Sequence, residues 1–295
     1  MVAAGPRFAQ LLVVGVGLIG TSFALALKAA GACARVSGLG RSRANLEVAR
    51  AAGALDAIAD GAEAAREADL VLVATPVGQL PSVLAALAPH LGPQVLVMDA
   101  GSTKRDAVAA ARSVLGQNAA RFVPAHPIAG GEKSGAAAAS AALFRERRVV
   151  LTPLAENPPE AIARAEAAWQ ACGAQVLRMT AEAHDEVLAA VSHLPHVLAY
   201  ALVADIAARP NAAGLFAFAA GGFRDFTRIA SSHPGLWRDI CLANHDRIGV
   251  ELERFGAELA RVTALVQARD GEALEQLFAR ARAAREKWLA GDFEP

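Results

Sequence analysis

Two regimes of apolar and polar spacing divide the chain. In the first, short unbroken apolar runs alternate with stretches of helical period. Residues 11–14, 70–74 (LVLVA) and 95–98 are continuous apolar runs, the pattern of strands buried on both faces of a parallel sheet. Residues 34–39, 55–58, 121–124, 149–152 and 175–178 are further short strand candidates, with 121–124 running into His126-Pro127. Helical stretches lie between them at 21–31, 42–53, 80–91, 104–115 and 159–172, and 63–68 is a short helix or turn. Ser42 is placed to cap the second helix and Gly53 to stop it, while Pro81 is tolerable in a first helical turn. The alanine-rich stretch 136–143 (AAAASAAL) reads as helix-prone surface. After about residue 180 the strand-like runs cease. Residues 181–210 read as one long helix distorted at Pro195, and 244–266 and 274–289 as two more amphipathic helices.

Strands and helices in alternation, joined by short connections, predict an α/β domain whose ligands bind beyond the carboxyl ends of the strands. The first turn says which ligand. Residues 10–20, QLLVVGVGLIG, are an apolar strand followed by Gly15-Val16-Gly17-Leu18-Ile19-Gly20 and then a helix. In that context G-x-G-x-x-G is a dinucleotide fingerprint. Gly15 permits the tight turn, Gly17 lets the backbone approach a pyrophosphate, and Gly20 lets helix pack on strand. The N–H groups at Leu18 and Ile19 and the positive end of the helix dipole face the phosphates. The expected fold is an N-terminal Rossmann-type doubly wound parallel sheet, residues 1–179, followed by an all-helical domain, 180–295. The broad apolar stripes of that second domain suit pairing with another copy of the chain.

The second strand bears on the choice of dinucleotide. An NAD site carries an acid about 20 residues past the glycines for the ribose 2′-hydroxyl. Here that place reads Gly38-Leu39-Gly40-Arg41-Ser42-Arg43. Arg41 and Arg43 offer guanidinium forks and Ser42 a hydroxyl, which suits a 2′-phosphate. NADP is therefore expected; NAD is the alternative if both arginines are only solvated charges at a helix start. Thr75-Pro76, Gly101-Ser102 and His126 stand at other strand ends and are expected to line the same crevice.

Within that crevice His126, fixed by Pro127 and the glycines after it, is placed to accept a proton from a substrate hydroxyl. Ser102 either hydrogen-bonds that hydroxyl or caps the helix starting at Lys104. In Ser192-His193-Leu194-Pro195-His196 the two histidines lack a nearby third ligand, so substrate binding by one of them is expected and a metal is not. Gly221-Gly222-Phe223-Arg224-Asp225-Phe226-Thr227-Arg228 supplies two arginines, either of which could clamp a carboxylate or merely sit in a surface ion pair.

Bulk properties narrow the partners. The 29 basic and 29 acidic residues of the 295 cancel, so nothing global calls for nucleic acid, and an anionic substrate must be met by local charges. A hydrophobic content of 54% with 20% charged residues fits a folded chain with a sizeable core. Cys33, Cys172 and Cys241 are scattered and form no C-x-x-C pair. The N-terminus lacks a signal-peptide pattern, and no long apolar run is free of charges and breakers, so no membrane and a cytoplasmic setting are expected.

GVGLIG, ATPV, DAGSTK, HPIAGGEKSG, SHLPH, GGFRDFTRIA and the W-R-D-I that precedes Asn244 run in one order from Gly15 onward. Together they resemble the prephenate/arogenate (cyclohexadienyl) dehydrogenases of tyrosine biosynthesis. The resemblance implies a nucleotide-binding domain followed by a helical domain through which two chains dimerise. It implies oxidative decarboxylation of prephenate to 4-hydroxyphenylpyruvate, or alternatively of arogenate, or of both. It assigns His126 to polarising the C4 hydroxyl, Ser102 to a place beside it, His196 to substrate contact and Arg228 to the substrate carboxylate. Glu132 and Trp237 would stand at the pocket mouth. Neither a mutase domain before Gly15 nor a regulatory domain after the helices is expected. Two rivals share parts of this pattern. A β-hydroxyacid dehydrogenase would be expected to carry a catalytic lysine where SHLPH and GGFRDFTRIA stand, and a non-catalytic NADP-binding dimer would have no use for His126 and Ser102.

Overall fold

The computed structural model describes residues 7–131 and 133–292. Six parallel strands form the main sheet: β1 (Phe8–Val14), β2 (Cys33–Leu39), β3 (Ala57–Ile58), β4 (Leu70–Val73), β5 (Leu96–Asp99) and β6 (Phe122–Val123). Their spatial order is β3-β2-β1-β4-β5-β6, so the winding reverses between β1 and β4. That reversal opens the crevice at which α/β sheets bind ligands. The interleaved helices are α1 (Leu18–Ala29), α2 (Arg43–Ala51), α3 (Leu80–Leu87), α4 (Arg105–Leu115) and α5 (Pro159–Ala171). Alternate residues of β1 serve two cores: Leu11 and Val13 pack on one face with Phe23 and Trp169, Leu12 and Val14 on the other with Leu84 and Phe122. The unbroken apolar run thus follows from helices covering both faces.

Not every strand joins this sheet. β7 (Ala125–Pro127), β8 (Arg148–Leu151) and β9 (Gln175–Arg178) make a separate three-stranded sheet, with β7 antiparallel to β8 and β8 parallel to β9. The doubly wound parallel sheet is as expected, but the strand at 121–124 does not run on into His126-Pro127. The chain leaves the main sheet at Pro124, and His126 pairs with Val150. The alanine-rich stretch is also less helical than its composition: only Ala136–Ala138 forms a short 3-10 turn. The Ser140 amide, which a continuing helix would use, is instead bonded to Ser22 Oγ on α1 at 3.0 Å.

Beyond residue 180 the chain is helical. The expected distortion exists but precedes Pro195: α6 (Ala181–Leu188) passes through a π-helical segment, Ala189–His193, into α7 (Leu194–Ala207). By length and composition, Ala181–Ala207 is apolar enough to cross a membrane, yet it carries His184, Asp185 and His193, all buried inside the protein. α8 (Ala212–Ala217), α9 (Gly221–Thr227) and α10 (Pro234–Ala243) follow. Residues up to His245 form one compact unit and those from Asp246 a second. The second consists of nearly all of α11 (His245–Ala268) and α12 (Gly271–Ala290), the latter capped by Asp270 and ended by left-handed Gly291.

The glycine turn owes its shape to two close approaches. Gly15 has φ +98°, and a Cβ there would lie 2.5 Å from the Ala74 carbonyl oxygen. A Cβ on Gly20 would lie 2.3 Å from the Gly15 carbonyl oxygen and 2.7 Å from Val13 Cγ1, so α1 packs on β1 only without a side chain there. Gly20→Ala is expected to cost about 1–3 kcal/mol by overpacking, read as a lower melting temperature; an unchanged melting curve would contradict this packing.

Candidate active site

The crevice is built from the carboxyl ends of β1, β4 and β5. At β1, no side chain caps α1, so its first N–H groups, at Leu18 and Ile19, have no partner within the helix. A Cβ on Gly17 would meet nothing within 4 Å, which leaves room for a ligand against the backbone. At the end of β4, Thr75 Oγ1 is buried with no hydrogen-bond partner among the described residues, a polar group with unused capacity at the same place. Pro76 follows as an extended residue and turns the chain into a 3-10 turn, Val77–Gln79. Open backbone, exposed helix N–H groups and an orphaned hydroxyl fit a dinucleotide's phosphates.

The adenosine end reads differently from the expectation for the whole Arg41-Ser42-Arg43 run. The Ser42 hydroxyl caps α2 by accepting from the Asn45 amide at 3.2 Å. Arg43 is paired with Glu47 at 2.8 Å, and Glu47 also holds Arg50. Arg41 is exposed and has no salt-bridge partner among the described residues. Of the two guanidinium groups, Arg41 is therefore the one less committed to the protein.

At β5 a buried ion pair organises the next part. Asp99 and Lys104 are 2% and 0% exposed and in direct contact. Asp99 also accepts from the Gly101 and Ala125 amides, and Lys104 Nζ donates to the Ala125 carbonyl at 2.7 Å. Both backbone groups of Ala125 are thus fixed, and the next residue is His126. Ser102 lies on the loop between the two charges and is half-buried. It does not cap α4. The Lys104 and Arg105 amides at that helix start are taken by the Asp185 carboxylate, at 2.8 and 2.9 Å, from α6.

His126 Nδ1 is 2.8 Å from His184 Nε2, and His184 Nδ1 is 2.8 Å from Asp185 Oδ1. His184 and Asp185 are fully buried. The Asp185 carbonyl accepts from Asn244 Nδ2 at 2.8 Å, which also lies 3.2 Å from His193 Nδ1. Asn244 Oδ1 accepts from Arg105 at 2.8 Å. His193 meets the edge of Trp237, on which His196 is stacked with ring centroids 3.7 Å apart. The Ser102 backbone also acts on His193, and the Arg228 charge acts on His196. Four expected site residues, His126, Ser102, His196 and Arg228, are thereby linked through one cluster. Trp237, expected at the pocket mouth, is buried and packs with Val77 and Ile240. Glu132 lies outside the described residues. His184, Asp185, Asn244, Asp99 and Lys104 have no place in the reading of the sequence as site residues; their one signal there is that DAGSTK and Asn244 stand among the family-like motifs.

Electrostatics keep the histidines neutral. His126 is pushed well below its usual range by burial first, and then by the neighbouring His184, Lys104 and His193. Burial likewise lowers His184, against the opposing hydrogen bond to Asp185. Burial brings His193 down to about 4. His196 is lowered by burial and by Arg228, with the Ser192 carbonyl opposing. That carbonyl lies 2.8 Å from His196 Nδ1, so Nδ1 carries the proton and Nε2 is left as an acceptor.

A phosphate-binding glycine turn beside a cluster of neutral histidines defines a nicotinamide-dependent oxidoreductase with a helical second domain. Family models agree: residues 23–178 match the prephenate dehydrogenase nucleotide-binding domain and residues 180–280 the prephenate dehydrogenase dimerisation domain. The chain belongs to the prephenate dehydrogenase family. It is 38% identical over 281 residues to a cyclohexadienyl dehydrogenase of Zymomonas mobilis, covering 94% of this chain and 95% of that one. The structure of prephenate dehydrogenase from Aquifex aeolicus, in complex with hydroxyphenyl propionate and NAD+, superposes with a TM-score of 0.88 at 32% identity, covering 95% of this chain and 98% of that one. That of Synechocystis arogenate dehydrogenase gives 0.79 at 26%, covering 95% and 99%.

The depressed histidines carry a consequence for stability. Below about 6.5 the unfolded chain takes up protons that the folded rings refuse, down to about 4 for His193. The unfolded state binds more protons across that window, so stability falls as pH falls through it. Asp56 and Asp185, held below 3.8, add their loss only at lower pH. Melting temperatures measured across the window should fall steadily with acidification; a flat profile there would contradict neutral buried histidines.

Proposed function

We propose that this chain oxidatively decarboxylates prephenate to 4-hydroxyphenylpyruvate, with His126 as the base. The observation that carries the reading is the neutral His126 ring, held in the histidine cluster beside the dinucleotide turn. The Gly15–Gly20 turn and Thr75 would hold the phosphates of a nicotinamide dinucleotide, which when bound would supply the hydride acceptor. His126 takes the proton of the substrate's C4 hydroxyl as hydride leaves C4. The C1–carboxylate bond then breaks, its electron pair aromatises the ring, and the developing phenolate recovers a proton from His126. Hydride and carbon dioxide leave and no net proton does, so the base borrows its proton and returns it. Ser102 stands beside the hydroxyl, His196 offers its Nε2 to the substrate, and Arg228 holds a carboxylate. The main demands on the protein are geometry and one proton transfer.

Arogenate is the second reading. The Zymomonas relative named cyclohexadienyl dehydrogenase is matched over 95% of its length, while the Bacillus subtilis prephenate dehydrogenase is matched over 74%. The cofactor reading is NADP, resting on Arg41 and on the absence of an acid at the end of β2. A homodimer is proposed through the helical domain, with the division between domains at 179/180. The exposed Phe255, Leu259, Phe278 and Trp288 on α11 and α12 support it.

Turnover of prephenate and arogenate, each with NAD and NADP, tests the reading; no turnover in any of the four combinations would overturn it. Arg41→Asp should lower the NADP/NAD ratio of kcat/KM at least tenfold, and an unchanged ratio would remove Arg41 from the cofactor site. His126→Asn should lower kcat by about 10²–10⁴-fold with little change in KM. Arg228→Ala should instead raise the KM for the substrate. The opposite split would exchange the two roles.

A further inference from the structure

The His126–His184–Asp185 chain does more than fill space. Asp185 is fully buried and accepts from the Lys104 and Arg105 amides, with the Arg105 side chain also against it. Burial alone would raise its carboxyl; the bonds from His184 and from these two amides outweigh that and hold it below the ordinary carboxylate range. An ionised carboxylate only accepts, so His184 Nδ1 must carry a hydrogen to reach it. A neutral His184 then has its lone pair on Nε2, and that lone pair faces His126 Nδ1 at 2.8 Å. His126 Nδ1 must therefore be the donor. The remaining nitrogen of His126, Nε2, is left with the lone pair.

We propose that His184 and Asp185 are positioning residues that fix His126 in its Nδ1–H tautomer, so that two imidazoles in series act as one base with its lone pair on Nε2. This rests on the reading of His126 as the base. The same logic governs a Ser-His-Asp triad, in which the buried acid sets the tautomer of one histidine. Here a second imidazole lies between acid and base. The arrangement suits a proton that is borrowed and returned. When His126 Nε2 binds the substrate proton, Nδ1–H still points at His184 Nε2, and the new positive charge has an acceptor facing it. No proton needs to travel to Asp185, which is sealed from solvent and would be a dead end. The other charges around the pair are Lys104 and Asp99, which neutralise each other, and Arg105, which lies against Asp185; His193 is neutral.

Asp185→Asn is the sharpest test. An asparagine can turn its amide toward His184 and donate, which forces the His184 lone pair onto Nδ1 and its hydrogen onto Nε2. That hydrogen then points at His126 Nδ1, and His126 must hold its own on Nε2, where the base is needed. One neutral substitution thus reverses two tautomers in series. The expected result is a 10²–10⁴-fold fall in kcat, on the order of what general-base catalysis is worth, with KM nearly unchanged. Asn at 185 also weakens the start of α4, so His184→Phe is the companion variant: it leaves the Asp185 contacts to α4 in place and removes the acceptor for His126 together with the donor to Asp185. It should lose at least tenfold in kcat, and His184→Gln, whose amide oxygen can accept from His126, should recover part of that loss. In His126→Asn background, Asp185→Asn should cost little more.

Nitrogen NMR of histidine-labelled protein reads the tautomers without any turnover. The wild type should show His126 protonated on Nδ1 and bare on Nε2, and Asp185→Asn should show the reverse. A wild-type His126 protonated on Nε2 would overturn the proposal, as would wild-type kcat and pH profile in both Asp185→Asn and His184→Phe. If the tautomers are as stated but neither substrate turns over, the reading of the reaction fails and the tautomer assignment stands.

Discussion

The buried contact between Asp99 and Lys104 is the constraint on which the rest of the site depends. Two opposite charges out of water are tolerated because every strong direction is used: Asp99 accepts from two amides besides Lys104, and Lys104 donates to a carbonyl as well. Such a pair contributes little net stability against an apolar replacement, yet removing one partner costs about 3–5 kcal/mol. Its effect is on geometry. It joins the end of β5, the start of α4 and the Ala125 peptide, at the point where the chain leaves the main sheet for the second one. His126 inherits its position from that junction.

From there the polar network continues without a break into the helical part of the first compact unit. Asp185 caps α4 from α6, Asn244 ties Asp185 to His193 and to Arg105, and Trp237 carries His196 on its face while touching Val77 beside the nucleotide turn. Cofactor turn, proposed base and proposed substrate contacts therefore share supports. Burial sets the charge state as well as the positions: the rings remain neutral because the interior disfavours imidazolium and Lys104 and Arg228 add repulsion. A base that starts neutral is the one that can accept a proton.

What was legible in the sequence was what short stretches decide by themselves. The 10–20 segment declares strand, turn and helix by its own spacing, and Gly20 answers to Gly15 and Val13 a few residues away; only the Ala74 carbonyl that crowds Gly15 comes from a distant strand. Ser42 as a cap and Gly53 as a stop are equally local, and both hold. His126 stood out because a histidine before a proline and glycines is conspicuous. Its supports did not. His184 is 58 residues from His126, and Asp185 lies 80 residues or more from the amides it caps. On the page they are two polar residues in an amphipathic helix. Lys104 looked like an ordinary charge at a helix start. The departure of β7 from the main sheet, and the failure of 136–143 to form a full helix, were likewise decided by tertiary partners, Val150 and Ser22, that no local pattern names.

The π-helical segment Ala189–His193 sets the phase of the long helix that passes through the site. In an α-helix each residue turns the chain by about 100°. Without the segment, Asp185 and His193 would stand about 80° apart around the axis, and His184 and His196 about 120°. A π-turn absorbs one residue, and both pairs then fall within about 20° of one another. Asn244 Nδ2 meets both stretches, at the Asp185 carbonyl and at the His193 ring. The insertion of a single residue has made two half-sites, each on its own stretch of helix, present one common face.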